Sequence, residues 1–282
     1  MGVILLTVTG LVTYAIIRYR KKGEGEPRQI FGNTRLEWIW TLLPLALVCY
    51  FFVATLHTMA VSDPPTRGHS PDMLIIGHQW WWEVHYLKSG VVTANDVHFP
   101  VGVPTLVEFK SADVIHDWWV PELGPKIDLI PGHPNKLWID VDKPGTYLGT
   151  CAQFCGAEHA WMRIRAIAQE PAQFDAWLKE QETIPPQPTS GPALAGLKLF
   201  KSLPCISCHT IEGLGPTPDA GPNLTHIATR ETLGAGRLMN TPKNLAAWLK
   251  DPQKFKPGTQ MPNLRLTNQQ VNDLVAYLET LR

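Results

Sequence analysis

The sequence predicts a multidomain membrane protein with an N-terminal two-helix transmembrane hairpin, an all-β Greek-key sandwich and an all-α C-terminal domain. Two apolar runs occupy the first sixty positions, and short alternating segments broken by Gly, Pro and Asn begin near Met73. A Pro-rich stretch then precedes a segment that ends in an amphipathic helix. The predicted domains are residues 1–62, 70–182 and 193–282, with a linker at 183–192.

The two apolar runs have the lengths of membrane spans. Met1–Ile17 carries no charged side chain, and Trp38–Met59 corresponds to about 33 Å of helix at 1.5 Å per residue. A secretory signal is the alternative for the first run, although its basic cluster follows the apolar segment. Six basic residues lie between or beside the runs: Arg18, Arg20, Lys21, Lys22, Arg28 and Arg35. They predict a cytoplasmic loop, with the rest of the chain on the periplasmic side of a bacterial inner membrane.

Alternation of apolar and polar residues predicts the β sandwich. In Lys136–Asp142 the apolar Leu137, Ile139 and Val141 fall on one face of a strand, and Val103–Lys110 alternates in the same way. Several such strands in about ninety residues favour a small Greek-key sandwich. Functional residues are then expected on loops that the rigid sheets position.

Sulfur and imidazole side chains are concentrated in one part of this region. Cys151, Cys155, His159 and Met162 follow one another closely, and His116 lies upstream. Thiolates and a thioether select copper over hard cations, and a Met argues against a structural zinc site. Thiolates four residues apart can bridge two metals, so a copper pair fits best. A disulfide or a zinc loop is the alternative, and neither needs His116 or Met162.

A second motif follows the linker. Cys205, Cys208 and His209 have the Cys-x-x-Cys-His spacing by which c-type haem is attached, with the His held under the iron. A redox-active cysteine pair or a zinc site is the alternative. Met261 and Met239 are the methionine candidates for the sixth iron ligand.

Two further observations bound the interpretation. Thr267 and Gln270 form a capping box before a helical apolar stripe, which predicts the last helix and its core face. The formal net charge of zero gives no reason to expect a nucleic acid partner.

Several of these motifs together resemble subunit II of haem-copper cytochrome c oxidases. The segment Val114–His116, the Cys-x-x-x-Cys-x-x-x-His-x-x-Met run and the segment Pro144–Gly149 are similar to its dinuclear copper (CuA) domain. The resemblance implies a cupredoxin-like fold and makes the backbone carbonyl of Gln153 a copper ligand. Most relatives carry a Glu at that position, which helps to hold magnesium at the border with subunit I. The Gln removes that carboxylate, so the resemblance does not carry magnesium over.

The resemblance also implies roles for three more side chains. In the family, the Trp of a Gln-Trp pair lies exposed near the copper pair and admits the electron, and that residue is Trp80 here. A Glu at the position of Glu37 lies at the mouth of a proton path, and an Asp at the position of Asp113 helps to dock cytochrome c. From the residues alone, Glu37 is an interfacial charge and Asp113 a solvated one.

The order of the segments resembles that of caa-type oxidases. Gly221–Leu224 and Pro257–Pro262 are similar to the mid-domain turn and methionine loop of class I cytochromes c, which favours Met261 as iron ligand. The resemblance implies an electron-transfer subunit with one CuA pair and one covalent haem c. Electrons would pass from cytochrome c or another periplasmic donor to subunit I, which reduces oxygen with proton pumping beside subunit III and membrane lipid.

Two other functions fit parts of the pattern. One is a copper-containing subunit of a nitric oxide reductase, and the other is a membrane-anchored electron carrier or copper-binding assembly protein. A quinol oxidase subunit is disfavoured because the copper ligands are all present.

Overall fold

The structure is a computed structural model, which describes residues 2–282 except 21, 22, 24, 25, 27, 28, 30, 63–65, 67 and 216. The chain divides into two compact units, residues 1–62 and 63–282. Three basic residues of the predicted cytoplasmic loop, Lys21, Lys22 and Arg28, lie outside the described residues.

Two apolar helices form the first unit: α1 (Gly2–Arg18) and α2 (Thr34–Ser62). The segment Thr34–Val61 is long and apolar enough to cross a membrane, whereas α1 is a shorter apolar helix of 17 residues. Pro44 lies inside α2. Helix α2 extends beyond the predicted span Trp38–Met59 at both ends.

Polar side chains define the N-terminus of α2. The Leu36 N–H donates to Asn33 Oδ1 at 3.3 Å, and the Asn33 N–H donates to Glu37 Oε1 at 3.1 Å. Both bonds satisfy backbone donors at a helix start, where the helix itself supplies no acceptor. Glu37 therefore has a local structural role, and its part in a proton path stays a prediction.

Ten strands form a two-sheet β sandwich in the described part of the second unit. They are β1 (Met73–His78), β2 (Trp81–Tyr86), β3 (Val91–Ala94), β4 (Asp96–Pro100), β5 (Thr105–Ser111), β6 (His116–Trp119), β7 (Ile127–Leu129), β8 (Asn135–Ile139), β9 (Gly145–Cys151) and β10 (Arg163–Gln169). The sheets have the orders β3-β2-β1-β5-β8 and β4-β10-β9-β6-β7. Only β1 with β5 and β4 with β10 are parallel pairs among these described strands. The predicted all-β sandwich is confirmed.

The two sheets bury a common core. Its fully buried members include Ile75, Trp82, Phe99 and Phe109. Leu137 and Ile139 are buried as the alternation predicts, but β8 ends at Ile139. Beyond the β5–β8 ladder, Val141 is also buried as predicted, and its carbonyl accepts from the Gly102 N–H at 2.9 Å.

The chain leaves the sandwich through α3 (Pro171–Gln181). Phe174 and Trp177 of this helix pack against the sandwich core. Residues 184–189 form neither helix nor strand, as expected of a Pro-rich segment.

The C-terminal domain is mainly helical. Its elements are α4 (Gly191–Ser202), α5 (Cys205–Cys208), β11 (Thr232–Leu233), β12 (Leu238–Met239), α6 (Pro242–Lys250), α7 (Pro252–Phe255) and α8 (Asn268–Leu278). Helix α4 packs closely on α8 because Gly196 has no side chain, and a Cβ there would lie 2.0 Å from the Asp273 carbonyl oxygen. Thr267 and Gln270 form the predicted capping box of α8, and the predicted apolar stripe is buried.

One feature differs from the predicted all-α arrangement. A short β-hairpin, β11–β12, lies between Arg230 and α6. Its turn, Gly234–Gly236, has positive φ angles of 61°, 58° and 80°. The two glycines accept this conformation readily, which lets the chain reverse within three residues.

Candidate copper and haem sites

The two cysteines of the sandwich lie side by side at one end of the fold. Cys151 ends β9, Cys155 follows in the next loop, and both side chains are buried. Their Sγ atoms are 3.8 Å apart, so the cysteines are free and the alternative of a disulfide is not what the structure shows. Two sulfurs at this separation face one small volume.

His116 completes this group from the neighbouring strand. It begins β6, is fully buried, and places a ring nitrogen within 4.8 Å of the Cys151 and Cys155 sulfurs. Its Nε2 is 2.8 Å from Asp113 Oδ1, whereas its buried Nδ1 has no hydrogen-bond partner among the described residues. A buried nitrogen without a partner is costly in a finished core, but it suits a metal ligand oriented by a carboxylate.

The remaining three predicted donors surround the same sulfurs. His159 Nδ1 is 3.6 Å and Met162 Sδ is 3.9 Å from Cys155 Sγ. The Gln153 carbonyl oxygen accepts from the Cys151 thiol at 3.2 Å. The donor set of two thiols, two imidazoles, a thioether and a carbonyl fits copper, because soft sulfur ligands dominate it.

The two thiols share their titration. The hydrogen bond with Cys155 lowers the pKa of Cys151, and the same contact raises the pKa of Cys155. The first proton therefore leaves the pair readily, and the second leaves only when another positive charge is present. A metal supplies such a charge, since thiolates and not thiols are metal ligands.

Trp80 is hydrogen-bonded to the loop that carries Cys155, which we call the copper-site loop, but it is not exposed. Its indole Nε1–H donates to the Cys155 carbonyl at 2.9 Å, and Gln79 Nε2 donates to the same oxygen at 2.7 Å. The expectation of an exposed ring is wrong, because only 9% of Trp80 is accessible. The C-terminal domain covers it, and Lys256 donates to the Trp80 carbonyl at 2.6 Å.

Asp113 is exposed, as expected, and its carboxylate also has local hydrogen-bond partners. Besides facing His116 Nε2, its carboxylate accepts from the Gln79 and Val114 N–H groups at 2.6 Å each. Asp113 therefore joins the histidine to the segment that carries Trp80. Its part in docking a cytochrome stays a prediction.

The second motif lines an open cavity in the C-terminal domain. Cys205 and Cys208 form the short helix α5, and His209 follows it at the cavity wall. His209 Nδ1 is 2.8 Å from the Pro222 carbonyl, which fixes the ring and leaves Nε2 for a ligand. Burial lowers the pKa of His209, which favours the neutral, ligating form. A Cβ at Gly221 would lie 2.7 Å from His209 Cε1, so only glycine fits beside the ring.

Met261 lines the same cavity and Met239 does not. Met239 lies on β12 with 58% of its surface exposed. The loop of Met261 is held by Gln253, whose Nε2 donates to the Thr259 and Met261 carbonyls at 2.7 and 2.9 Å. His209 and Met261 therefore line one cavity with the two cysteines, and their pairing as iron ligands stays a prediction.

Three cavity residues had no sequence signal that would have identified them. Trp81, Arg230 and Lys256 line the haem cavity, and none of them belongs to a motif with a ligand spacing. Burial lowers the pKa of Arg230 to about 10, and its Nε has no partner among the described residues. Trp81 packs on Ala235 of the C-terminal domain and stacks on His78.

Three family descriptions match the chain. "Cytochrome C oxidase subunit II, transmembrane domain" matches residues 1–57, "Cytochrome C oxidase subunit II, periplasmic domain" matches 88–169, and "Cytochrome c" matches 193–282. An apolar membrane segment, a cupredoxin-like sandwich with a sulfur-rich site and a cytochrome c domain together define a membrane-anchored redox subunit.

The chain belongs to the cytochrome c oxidase subunit II family, with a cytochrome c domain fused to its C-terminus. It is similar to "Cytochrome c oxidase subunit 2" of Alkalihalophilus pseudofirmus, with 36% identity over 100% of this chain and 85% of the relative. The protein of the same name from Bacillus sp. (strain PS3) is 32% identical over 93% of this chain and 79% of the relative. The periplasmic domain of subunit II (CoxB) of Bradyrhizobium japonicum is 30% identical, with a TM-score of 0.38 over 40% of this chain and 96% of that domain.

Proposed function

We propose that the chain is the electron-transfer subunit of a caa-type cytochrome c oxidase, with a dinuclear copper centre and one covalent haem c. The observation that carries this proposal is the convergence of four further donor groups on two buried sulfurs 3.8 Å apart. Electrons would pass from cytochrome c or another periplasmic donor to the C-terminal domain, then to the sandwich, and then to subunit I. Oxygen reduction to water and proton pumping would take place in the complex with subunits I and III.

The sandwich residues have distinct tasks in this proposal. Cys151 and Cys155 would hold the copper pair as thiolates, and His116 and His159 would each add an imidazole. Met162 and the Gln153 carbonyl supply the weak donors. Asp113 holds His116 through Nε2 and leaves Nδ1 free for a metal, as carboxylates do for metal-bound histidines.

The C-terminal residues hold the haem. Cys205 and Cys208 would form the thioether links, and His209 and Met261, which line the same cavity, would be the iron ligands. When bound, the haem and the copper pair supply the one-electron redox chemistry that no side chain here provides. Methionine ligation favours a higher iron potential than two histidines would, which suits a group that accepts electrons from another cytochrome.

Oxygen reduction itself belongs to a partner subunit. The first 62 residues contain one histidine, His57, so the apolar segments offer no set of imidazoles for a haem-copper centre. The subunit would be anchored in a bacterial inner membrane with its redox domains on the periplasmic side, as the basic residues near Arg18 favour.

Two finer roles depend on single residues. Glu37 would open a proton path at the N-terminus of α2, in addition to its bond with the Asn33 N–H. Gln153, whose side chain is exposed, offers no carboxylate to magnesium. Replacing Glu37 by Gln keeps an oxygen acceptor for the helix start, so lower turnover in the assembled oxidase would support the proton role and unchanged turnover would remove it.

Metal and haem analysis of the purified complex, with its visible spectrum, tests the main proposal. We expect two coppers beyond those of the partner subunit and one covalent c-type haem per chain. A Cys151→Ser variant should lose the copper pair and keep the haem. Oxygen uptake supports the oxidase, whereas nitric oxide consumption would identify a nitric oxide reductase. Purification without a large partner would favour a free carrier or assembly protein.

A further inference from the structure

Lys256 is a buried cation at the boundary between the sandwich and the C-terminal domain. It follows α7 and is only 2% exposed. Its ammonium donates to the carbonyls of Trp80 at 2.6 Å, Trp161 at 3.1 Å and Gly234 at 3.3 Å. Lysine is almost never buried without partners, and here three carbonyl acceptors match the three N–H donors of the ammonium.

The surroundings keep this ammonium charged. Burial lowers the pKa of Lys256 to about 8, and the nearby Glu158 opposes that shift. Glu158 is itself 4% exposed, and its Oε2 has no hydrogen-bond partner among the described residues. Lys256 is therefore a cation at neutral pH, held by carbonyl dipoles and one buried carboxylate.

Other contacts extend this boundary, which we call the domain interface. The Arg163 N–H donates to the Ala235 carbonyl at 3.2 Å, and Arg165 pairs with Glu231. The Arg237 guanidinium lies 4.0 Å from the ring centroid of Trp161. The turn of the β11–β12 hairpin thus rests on the sandwich beside the copper-site loop.

Lys256 differs from these contacts in what it touches. Its Trp80 acceptor belongs to a residue that lines the haem cavity and whose indole binds the Cys155 carbonyl. Its Trp161 acceptor precedes the predicted copper ligand Met162 directly. The Lys256 side chain of the C-terminal domain therefore binds two backbone carbonyls of the sandwich, and both belong to residues beside the proposed redox sites.

We propose that Lys256 is a positioning residue that fixes the haem cavity against Trp80 for electron transfer between the two domains. The inference rests on the proposed function of the two sites. Because the docked C-terminal domain covers Trp80, an external donor reaches the C-terminal domain and not the sandwich. Loss of the ammonium leaves three buried carbonyls without their donor, which disfavours the docked arrangement.

The test compares Lys256→Met with Lys254→Met in the purified, copper- and haem-loaded complex. Lys254 is exposed on α7, so its variant removes the same charge without touching the domain interface. Hydroxyl-radical labelling of Trp80, read by mass spectrometry, reports docking without using activity. In Lys256→Met the equilibrium constant for docking of the C-terminal domain should fall at least about tenfold, because a charged hydrogen-bond donor is lost. Labelling of Trp80 should therefore rise. The rate of haem oxidation by copper, after rapid reduction of the haem, should fall in parallel.

The outcomes separate the two proposals. If the unmodified complex shows no electron transfer from haem to copper, the proposed function is wrong whatever Lys256 does. If transfer occurs and Lys256→Met matches Lys254→Met in both rate and Trp80 labelling, the positioning role is wrong. Should the Met variant fail to load copper or haem, Lys256→Gln, which keeps an N–H₂ donor on a shorter stem, is judged by the same two readouts.

Discussion

The indole Nε1–H of Trp80 donates to the backbone carbonyl of Cys155 at 2.9 Å. One ring therefore lines the haem cavity and is also hydrogen-bonded to the loop that carries the predicted copper ligands. The carbonyl has a second donor, Gln79 Nε2 at 2.7 Å. Removal of the indole should leave the loop in place, because the oxygen remains satisfied.

Replacing Trp80 by Gln is therefore expected to slow electron transfer into the copper site without removing copper. We expect the transfer rate to fall at least about tenfold, equivalent to a barrier increase of about 1.4 kcal/mol. Rapid-mixing reduction of the complex, followed at the copper absorption, measures the rate. Trp119→Gln is the control, since Trp119 lies on β6 of the same sandwich with 38% exposure. Unchanged rate and unchanged absorption in Trp80→Gln would rule out this role.

Asp113 should act on copper retention more than on donor docking. Its carboxylate holds His116 Nε2 at 2.8 Å, so Asp113→Asn loses the charge that orients the imidazole. Copper affinity should fall about tenfold or more, as when other carboxylates that orient metal-bound histidines are removed. Copper content after dialysis against a graded chelator measures this.

The control for Asp113→Asn is Asp140→Asn, an exposed acid on the same sandwich. The Michaelis constant for the cytochrome donor separates the two roles. A raised Michaelis constant with normal copper retention would support docking and contradict the orienting role.

The sequence motifs are sufficient to predict which residues group as copper donors. Strands β6 and β9 are antiparallel neighbours. His116 at the start of β6 and Cys151 at the end of β9 therefore lie at the same end of the sheet. Cys155, His159 and Met162 follow at short spacings, so the loop brings their side chains to the same two sulfurs. Residue type and short spacing suffice here because local chain geometry limits where those side chains can go.

The domain interface could not be predicted in the same way. Lys256 lies in a polar stretch near Lys254, and nothing local distinguishes a lysine that will be buried from one that stays in water. The prediction that the Trp80 ring is exposed is wrong for the same physical reason. Burial by a second domain is a property of docking, and no periodicity within either segment encodes it.

Met261 is expected to set the potential of the C-terminal site. A Met261→His variant would place a second imidazole in the cavity that His209 lines, and bis-histidine ligation lowers the iron potential relative to His-Met. A redox titration of the full chain followed at the haem absorption measures the shift. Met239→His is the control, because Met239 is exposed on β12 away from the cavity. A shift in the control with none in Met261→His would reverse the assignment.

Glu83 should make the stability of the sandwich depend on acid pH. Its carboxylate lies 2.8 Å from His78 Nε2 and 2.6 Å from His85 Nε2. Burial alone would raise the pKa of Glu83, but these hydrogen bonds lower it to about 2, from an ordinary value of 4.5. A carboxyl whose folded pKa is depressed stabilises the fold above its unfolded pKa. That stabilisation is therefore complete above about pH 4.5 and is lost as the pH falls toward 2.

Glu83→Gln is accordingly expected to lower the thermal midpoint of the full chain near neutral pH and to have little effect near pH 2. The cost at neutral pH should be on the order of 2 kcal/mol, which corresponds to several degrees in midpoint. Glu122→Gln, at an exposed position of the same sandwich, controls for the change in net charge. Because both variants carry the same metal and haem sites, the difference between their midpoints at each pH isolates the buried carboxylate. A difference that stays constant from pH 7 to pH 3 would contradict the role of the two histidines, since it would not track the protonation of Glu83.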